Sequence, residues 1–198
     1  MSRYSGPRLR LFKRLGPLPG FGQNIHQKYQ KYQNANLQAS KKTNKQKNKA
    51  YSLRLIEKQK LRYNYGLTEQ NLANYVRKAQ KHKNSTGEIL LKNLEMRLDN
   101  IVFRCGFTST LPAARQLITH GHVFLNGQKR TRPSLLCKPQ DAITLHKKIP
   151  ISSEKAFQSS FISFDATNHR AQIHQTLQRL PFNIQELLVI EYYSRRNG

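Results

Sequence analysis

Apolar positions recur at helical spacing in the middle of the chain. Leu91, Leu94 and Leu98 begin a run that continues through Ile101 and Val102, and all five fall on one helical face. This pattern predicts a single helix from residue 88 to residue 104 that packs on a core.

A second helix is predicted directly afterwards. Thr110 is a typical N-cap, and Pro112 is tolerated in the first turn. Ala114 should pack inward, whereas Arg115 and Gln116 are left to face outward.

A tight hairpin follows this helix. Asn126-Gly127 separates two strand-like runs, and both residues readily adopt the positive φ that a two-residue turn requires. A further strand is predicted over 142–145. The resulting module has two helices packed on a short antiparallel sheet.

The flanks are less uniform. Residues 51–65 and a helix capped by Thr68 alternate apolar and basic positions and predict a helical domain. In the tail, 161–164 and 187–193 are predicted strands, and 170–185 has no clear pattern. Tyr192 and Tyr193 are therefore expected to pack in a sheet.

Residues 1–50 are predicted to be irregular. Pro and Gly punctuate the first twenty residues, and 23–49 is rich in Gln, Asn and Lys. The segment is either a disordered tail or an extension that becomes ordered on RNA. The chain is thus an α+β protein with a basic irregular extension (1–50), a helical domain (51–93 with 158–198) and an inserted RNA-binding module (94–157).

Charge points to a polyanionic partner. The chain has 35 Lys and Arg against 10 Asp and Glu, a net charge of +25. Nucleic acid fits best, because each neutralised phosphate releases a counterion. Of that charge, +24 lies within residues 1–150, so RNA contacts should concentrate there. No apolar run approaches the roughly 18 residues of a spanning helix, and no membrane partner is expected.

No metal or cofactor is expected. Cys105 and Cys137 are the only cysteines and form no CxxC pair, so a reduced compartment or plain burial explains both. His120 and His122 lack a nearby Cys or acid and make a poor metal site.

Short motifs along the chain resemble those of one known family. In the module they are Arg97-Leu98-Asp99-Asn100, Ala114-Arg115-Gln116-Leu117, His120-Gly121-His122, Asn126-Gly127, Pro133-Ser134 and Lys138-Pro139-x-Asp141. Outside it they include Arg14-Leu15-Gly16-x-Leu18-Pro19-Gly20, Tyr65-Gly66-Leu67-Thr68-Glu69 and Glu191-Tyr192-Tyr193-Ser194-Arg195. Over nearly its full length the chain resembles the plastid-encoded, bacterial type of small ribosomal subunit protein four.

The resemblance implies a structural component of the small ribosomal subunit in the plastid stroma. Such a protein is a primary binder of the 5′ domain of 16S-type rRNA and nucleates assembly of the subunit body. It neighbours ribosomal protein five and other small-subunit proteins and supports translational accuracy. No cysteine precedes Cys105, so the N-terminal zinc site of some bacterial members is not expected.

The expected RNA contacts combine cations with hydrogen-bonding side chains, because duplex RNA is recognised chiefly by shape and phosphate lattice. They are Arg3, Tyr4, Arg8, Arg10, Lys13, Arg14, Arg54, Lys58, Lys60, Arg62, Arg77, Lys78, Arg97, Arg115, Gln116, His120, His122, Asn126, Lys129, Arg130, Arg132, Ser134, Lys138 and Arg195. Two alternatives stay open: Arg97 instead pairs with a nearby acid such as Glu95, and Asn126 serves only the turn.

Two other functional classes share features with this sequence, an RNA-modifying enzyme and a free RNA-binding factor. The same module occurs in RNA-modifying enzymes, but no Gly-rich cofactor loop or paired carboxylates accompany it here. The chain is therefore not expected to be an enzyme. The alternative function is a free RNA chaperone or ribosome-associated stress factor, which a high-salt wash would release from the subunit.

Overall fold

The computed structural model of the chain describes residues 4, 6–36, 49–83, 85–146, 162–165, 170–174 and 184–197. Arg3, an expected RNA contact, lies outside the described residues, and so do residues 41–48 of the predicted extension. Contacts within the chain define two compact units, residues 1–88 with 182–198 and residues 89–181. The predicted division differs, since it placed residues 158–181 with the helical domain.

The first unit is helical. Its elements are α1 (Arg8–Leu15), a 3₁₀ turn (Pro19–Phe21), α2 (Gln23–Asn36), α3 (Lys49–Asn64), α4 (Glu69–Gln80) and, after the second unit, α8 (Glu186–Asn197). The boundary between the units falls within α5 (Thr86–Glu95). No helix of the described residues is long and apolar enough to cross a membrane.

The prediction of an irregular N-terminal extension is wrong over most of residues 8–36, which form α1, the 3₁₀ turn and α2. Leu11, Phe12 and Leu15 lie on one face of α1, and they are buried together with Leu18 and Phe21. The Oδ1 atom of Asn64, at the end of α3, accepts a hydrogen bond of 2.9 Å from the backbone N–H of Gly20. The Pro and Gly residues therefore separate short packed helices rather than preventing them.

The predicted strand over 187–193 is also wrong, because this segment is part of α8. Val189 and Tyr193, four residues apart on one helical face, are buried, and α8 packs against α3. Beta-branched and aromatic residues favour strands only weakly, so packing on α3 decides the conformation. Tyr192 and Tyr193 consequently contact helices and not a sheet.

The second unit is an α+β fold, as predicted. It contains α6 (Leu98–Arg104), α7 (Leu111–Thr119), β1 (Val123–Leu125), β2 (Gln128–Arg130), β3 (Ala142–Leu145), β4 (Ile162–Asp165) and β5 (Arg170–Ile173). The five strands are antiparallel in the order β2-β1-β3-β5-β4. The tail thus adds two strands, β4 and β5, to the short predicted sheet. Strand β5 lies within residues 170–185, where the sequence has no clear pattern.

One face of the sheet carries the core of this unit. Val123 and Leu125 of β1, Ile143 of β3 and Ile173 of β5 are buried in one cluster, which also includes Ile118 of α7. More and less buried positions alternate along β1, β3 and β5, so Phe124, Thr144, Arg170 and Gln172 lie on the opposite face of the sheet.

Candidate nucleic-acid interface

The helix predicted from residue 88 to residue 104 is broken at Met96-Arg97. The backbone of Arg97 is extended, with φ −71° and ψ 141°, and it forms an antiparallel bridge with Leu136. The N–H of Cys137 donates to the carbonyl of Met96 at 2.8 Å, and the N–H of Leu98 donates to the carbonyl of Leu135 at the same distance. Pairing with a distant segment therefore overrides the helical periodicity and fixes the start of α6.

Asp99 binds two arginines at this point. Its Oδ1 and Oδ2 atoms accept from Nε and Nη2 of Arg97 at 3.0 and 2.7 Å, and Oδ2 also accepts from Nε of Arg115 at 2.7 Å. The carboxylate is 1% exposed and accepts a further hydrogen bond from the N–H of Asn100. Asp99 therefore fixes the relative positions of α6 and α7.

A second buried ion pair lies at the other end of α6. Arg104 donates to both carboxylate oxygens of Glu95 at 2.7 Å, and Asn100 donates to Oε2 and to the backbone carbonyl of the same residue. Glu95 thus pairs with Arg104. The alternative that Arg97 pairs with a nearby acid is confirmed, but the acid is Asp99 and not the suggested Glu95. Buried charges of this kind require such complete pairing.

The side chains of α7 are exposed or buried as predicted, except that of Arg115. Thr110 caps it as predicted, accepting from the N–H of Ala113 at 3.3 Å. Gln116 and His120 are exposed, as expected for an outward face. The prediction that Arg115 faces outward is wrong, because its side chain is only 14% exposed and is ion-paired with Asp99.

The hairpin has the predicted turn. Asn126 and Gly127 have φ values of +51° and +77°, and β1 and β2 pair on either side of them. The Asn126 side chain donates to Oδ1 of Asp141 and accepts from the N–H of Ala142, both at 2.8 Å. Its amide thus joins the hairpin to the following turn and has a structural function.

The side chain of Lys129 in β2 lies across Gly121. A Cβ atom at Gly121 would overlap the Cε atom of Lys129, and Gly121 has a φ of +77°. The rings of His120 and His122, on either side of this glycine, are 6.3 Å apart. All three side chains are exposed, so the C-terminal end of α7 and the hairpin present one continuous polar and basic face.

Four other predicted contacts of the module lie on nearby loops and on β2. Arg132, Ser134 and Lys138 are exposed. Arg130 is half-buried, and its Nη2 donates to Oε1 of Gln128 at 2.5 Å. The three exposed residues are therefore directly accessible to a ligand.

In the first unit, α1 and α4 separate buried apolar faces from exposed basic ones. Exposed are Tyr4, Arg8, Arg10, Lys13, Arg14, Arg77 and Lys78. The Nζ atom of Lys13 lies 3.6 Å from the ring centroid of Tyr32, a cation–π geometry. Lys81, one turn beyond Arg77, is also exposed and was not among the predicted contacts.

Several predicted contacts are instead engaged within this unit. Arg54 pairs with Glu191 at 2.6 Å, Lys58 with Glu69 at 3.0 Å, and Lys60 with Glu57 at 2.6 Å; Arg195 also pairs with Glu191, at 3.0 Å. The hydrogen bond from Arg54 lowers the pKa of Glu191. Arg62 is half-buried beside the ring of Tyr63.

Of these ion pairs, the sequence suggested only one between Arg97 and a nearby acid. Arg115 pairs with Asp99, and Arg54 with Glu191, from positions along the chain that local patterning does not connect. The motif Arg97-Leu98-Asp99-Asn100 contains one of these ion pairs, between Arg97 and Asp99.

Both thiols of the second unit are unreactive by environment. Burial raises the pKa of Cys105 far above its ordinary value and raises the pKa of Cys137 to about 12. The two residues pack in the apolar cluster beneath the sheet, so burial explains them, as the sequence suggested.

Two helices and a hairpin with an exposed polar and basic face, in one chain with the exposed basic side chains of the helical first unit, define a nucleic-acid-binding protein. Residues 96–143 match the family model described as S4 domain, and residues 3–95 match Ribosomal protein S4/S9 N-terminal domain. The chain belongs to the ribosomal protein S4 family.

Similar proteins span its whole length. Small ribosomal subunit protein uS4c of Chlorokybus atmophyticus is 47% identical over 205 residues, covering 98% of this chain and 99% of the relative. The proteins of the same name from Chaetosphaeridium globosum and Prototheca wickerhamii are 45% and 46% identical, each covering 99% of this chain and 100% of the relative. These matches confirm the family recognised from the sequence, in its plastid form, and its ribosomal, RNA-binding and non-enzymatic class.

Proposed function

We propose that this protein is a structural component of the small subunit of the plastid ribosome. It binds the 5′ domain of 16S-type rRNA directly, nucleates assembly of the subunit body and neighbours ribosomal protein five, in a region that supports translational accuracy. Family membership and full-length similarity support the ribosomal component. The rRNA 5′ domain and ribosomal protein five are more specific partners within this proposal, and each has its own test below.

The observation that carries the proposal is the continuous face formed by α7 and the hairpin. Gln116, His120, His122 and Lys129 are exposed there around Gly121. Amide, imidazole and ammonium groups on a surface that spans a helix and a hairpin suit the phosphate and ribose oxygens of duplex RNA, which is recognised by shape.

The ion pairs divide the module's expected contacts into two roles. We assign Lys129, Arg132 and Lys138 to phosphate oxygens, because their side chains are exposed. Arg115 and Arg97, both held by Asp99, support that surface from within. Gln116 and Ser134 supply hydrogen bonds to sugar or phosphate oxygens.

The first unit adds a second basic surface. The exposed side chains on α1 and α4 (Arg8, Arg10, Lys13, Arg14, Arg77 and Lys78) are proposed phosphate contacts. Each lies on a helix whose other face is buried, so its direction is fixed before RNA binds. Pre-ordered cations lose less conformational entropy on binding than those of a disordered tail.

Filter binding tests the proposal. Full-length protein is titrated with a transcript of the rRNA 5′ domain across a salt series, with unrelated structured RNA as competitor. Lys129→Gln is compared with Lys92→Gln, which removes the same charge from an exposed position on α5. We expect Lys129→Gln to weaken binding and reduce the salt slope by about one, as for a lost phosphate contact, and Lys92→Gln to change neither.

Equal affinity for both RNAs would contradict recognition of the 5′ domain and leave only charge-driven binding. Equal effects of the two lysine substitutions would contradict the assignment of the α7–hairpin face. The neighbouring protein is tested separately, by adding ribosomal protein five to the reconstituted complex and identifying cross-linked peptides. Cross-links that avoid this chain would contradict that contact.

A further inference from the structure

The face of the five-stranded sheet opposite the core has an ordered row of side chains, of which only Lys129 belongs to the surface formed by α7 and the hairpin. Phe124 of β1 pairs in register with Lys129 of β2 on one side and with Thr144 of β3 on the other. Thr144 in turn pairs with Arg170 of β5. Directly opposed residues point to the same side of a sheet, so these four form one row across four strands. Exposed Asp165 of β4 lies opposite Arg170 and extends the row at the edge of the sheet.

This row lies on the side away from the core. Val123 and Leu125, which flank Phe124 along β1, are buried in the core cluster, and side chains alternate along a strand. Phe124 and Thr144 are half-buried, whereas Lys129 and Arg170 are exposed. An aromatic ring therefore remains partly accessible at the centre of the row, with a cation on either side.

The chemistry of the row selects its ligand. The backbones of Lys129 and Arg170 are about 14 Å apart, since three strand spacings of about 4.8 Å separate them. Gln172, exposed in the next row, adds an amide that can donate and accept hydrogen bonds. An aromatic ring between spaced cations matches an unpaired nucleic-acid strand, whose bases stack on rings while cations hold its phosphates.

We propose that this outer sheet face binds an unpaired RNA segment, with one base stacked on Phe124 and neighbouring phosphates held by Lys129 and Arg170. The inference deepens the proposed rRNA-binding function and rests on it for the source of the RNA. Lys129 lies where this face meets the surface formed by α7 and the hairpin, so a duplex and an adjoining single strand would be bound side by side.

The test uses full-length protein and two probes, a short oligouridine and an RNA duplex of the same length. Phe124→Leu keeps an apolar side chain but removes the ring, and Phe124→Tyr keeps the ring. We expect Phe124→Leu to weaken oligouridine binding about tenfold, in line with loss of one aromatic stack, and Phe124→Tyr to bind as the parent protein does. Binding of the duplex should be unchanged in both variants.

Two further measurements distinguish a binding role from a structural one. Ultraviolet cross-linking of oligouridine to the parent protein should label the peptide that contains Phe124. Arg170→Gln should reduce the salt slope for oligouridine by about 0.7, the value for one phosphate contact on a single strand, and Lys92→Gln should leave it unchanged. Melting curves establish that each variant is folded.

Unchanged oligouridine binding by Phe124→Leu, or an equal loss for oligouridine and duplex, would overturn the proposal. A cross-link confined to other peptides would overturn it as well. Failure of the proposed ribosomal function has a different signature, namely equal affinity for the 5′-domain transcript and unrelated RNA. That result does not depend on whether oligouridine binding requires the ring of Phe124, so the two failures are distinguishable.

Discussion

Replacing Asp99 with Asn should destabilise the second unit strongly. The carboxylate is 1% exposed and accepts hydrogen bonds from two guanidinium groups and one backbone N–H. Without its charge, Arg97 and Arg115, which are 6% and 14% exposed, lose the carboxylate that pairs with both. Breaking a buried pair in this way costs about 3–5 kcal/mol.

Thermal unfolding of the full chain, followed by circular dichroism, measures this effect. A loss of that size should lower the melting temperature of a unit of this length by about 15–30 °C. Asp99→Asn combined with Arg115→Gln should recover part of the loss, because one uncompensated cation is removed. Glu191→Gln, which alters a partly buried ion pair in the other unit, is the control and should leave this transition in place.

A decrease of less than about 1 kcal/mol in the free energy of unfolding would refute the reasoning, because it would place this ion pair among ordinary surface pairs. Strictly additive effects of Asp99→Asn and Arg115→Gln would also refute it. The contact between these residues predicts a coupling energy of about 0.5–3 kcal/mol.

Three further predictions concern the same unit. Asn126→Ala should lower the free energy of unfolding by about 1–3 kcal/mol in urea titrations, because it removes two hydrogen bonds at a residue with positive φ. Gly127→Asn should lower the free energy of unfolding by less, because Asn can adopt the turn conformation. Gly121→Ala should displace Lys129 and weaken RNA binding in filter assays, with little additional loss when combined with Lys129→Gln. Because the pKa of Cys137 is raised to about 12, native protein at about pH 8 should resist alkylation that proceeds in denaturant, and equal rates would contradict its burial.

The sequence predicted correctly those turns and helix ends that depend only on neighbouring residues in the chain. The turn at Asn126-Gly127 requires positive φ, and the caps at Thr68 and Thr110 each accept from a backbone N–H three residues on. Each feature depends on residues close together in the chain. The helical spacing of apolar residues likewise identified α4 and α7.

Elements determined by distant contacts could not be predicted in the same way. The break at Arg97 depends on pairing with Leu136, and α8 is helical where its sequence favours a strand. Neither the pairing of Arg97 with Leu136 nor the packing of α8 on α3 leaves a local pattern in the sequence. The RNA-binding assignment was affected similarly, because Arg54 and Arg115 look like accessible cations until Glu191 and Asp99 are placed beside them.

The packing of α8 on α3 also determines the order in which the chain can fold during synthesis. In the first unit, a helix from residues 49–64 packs against another from residues 186–197, and every residue of the second unit is made between them. At about 5–20 residues per second, α3 waits roughly 6–30 s for its partner. During this interval the second unit can form its core, while a helix carrying exposed apolar and basic side chains is open to premature contacts with RNA or chaperones.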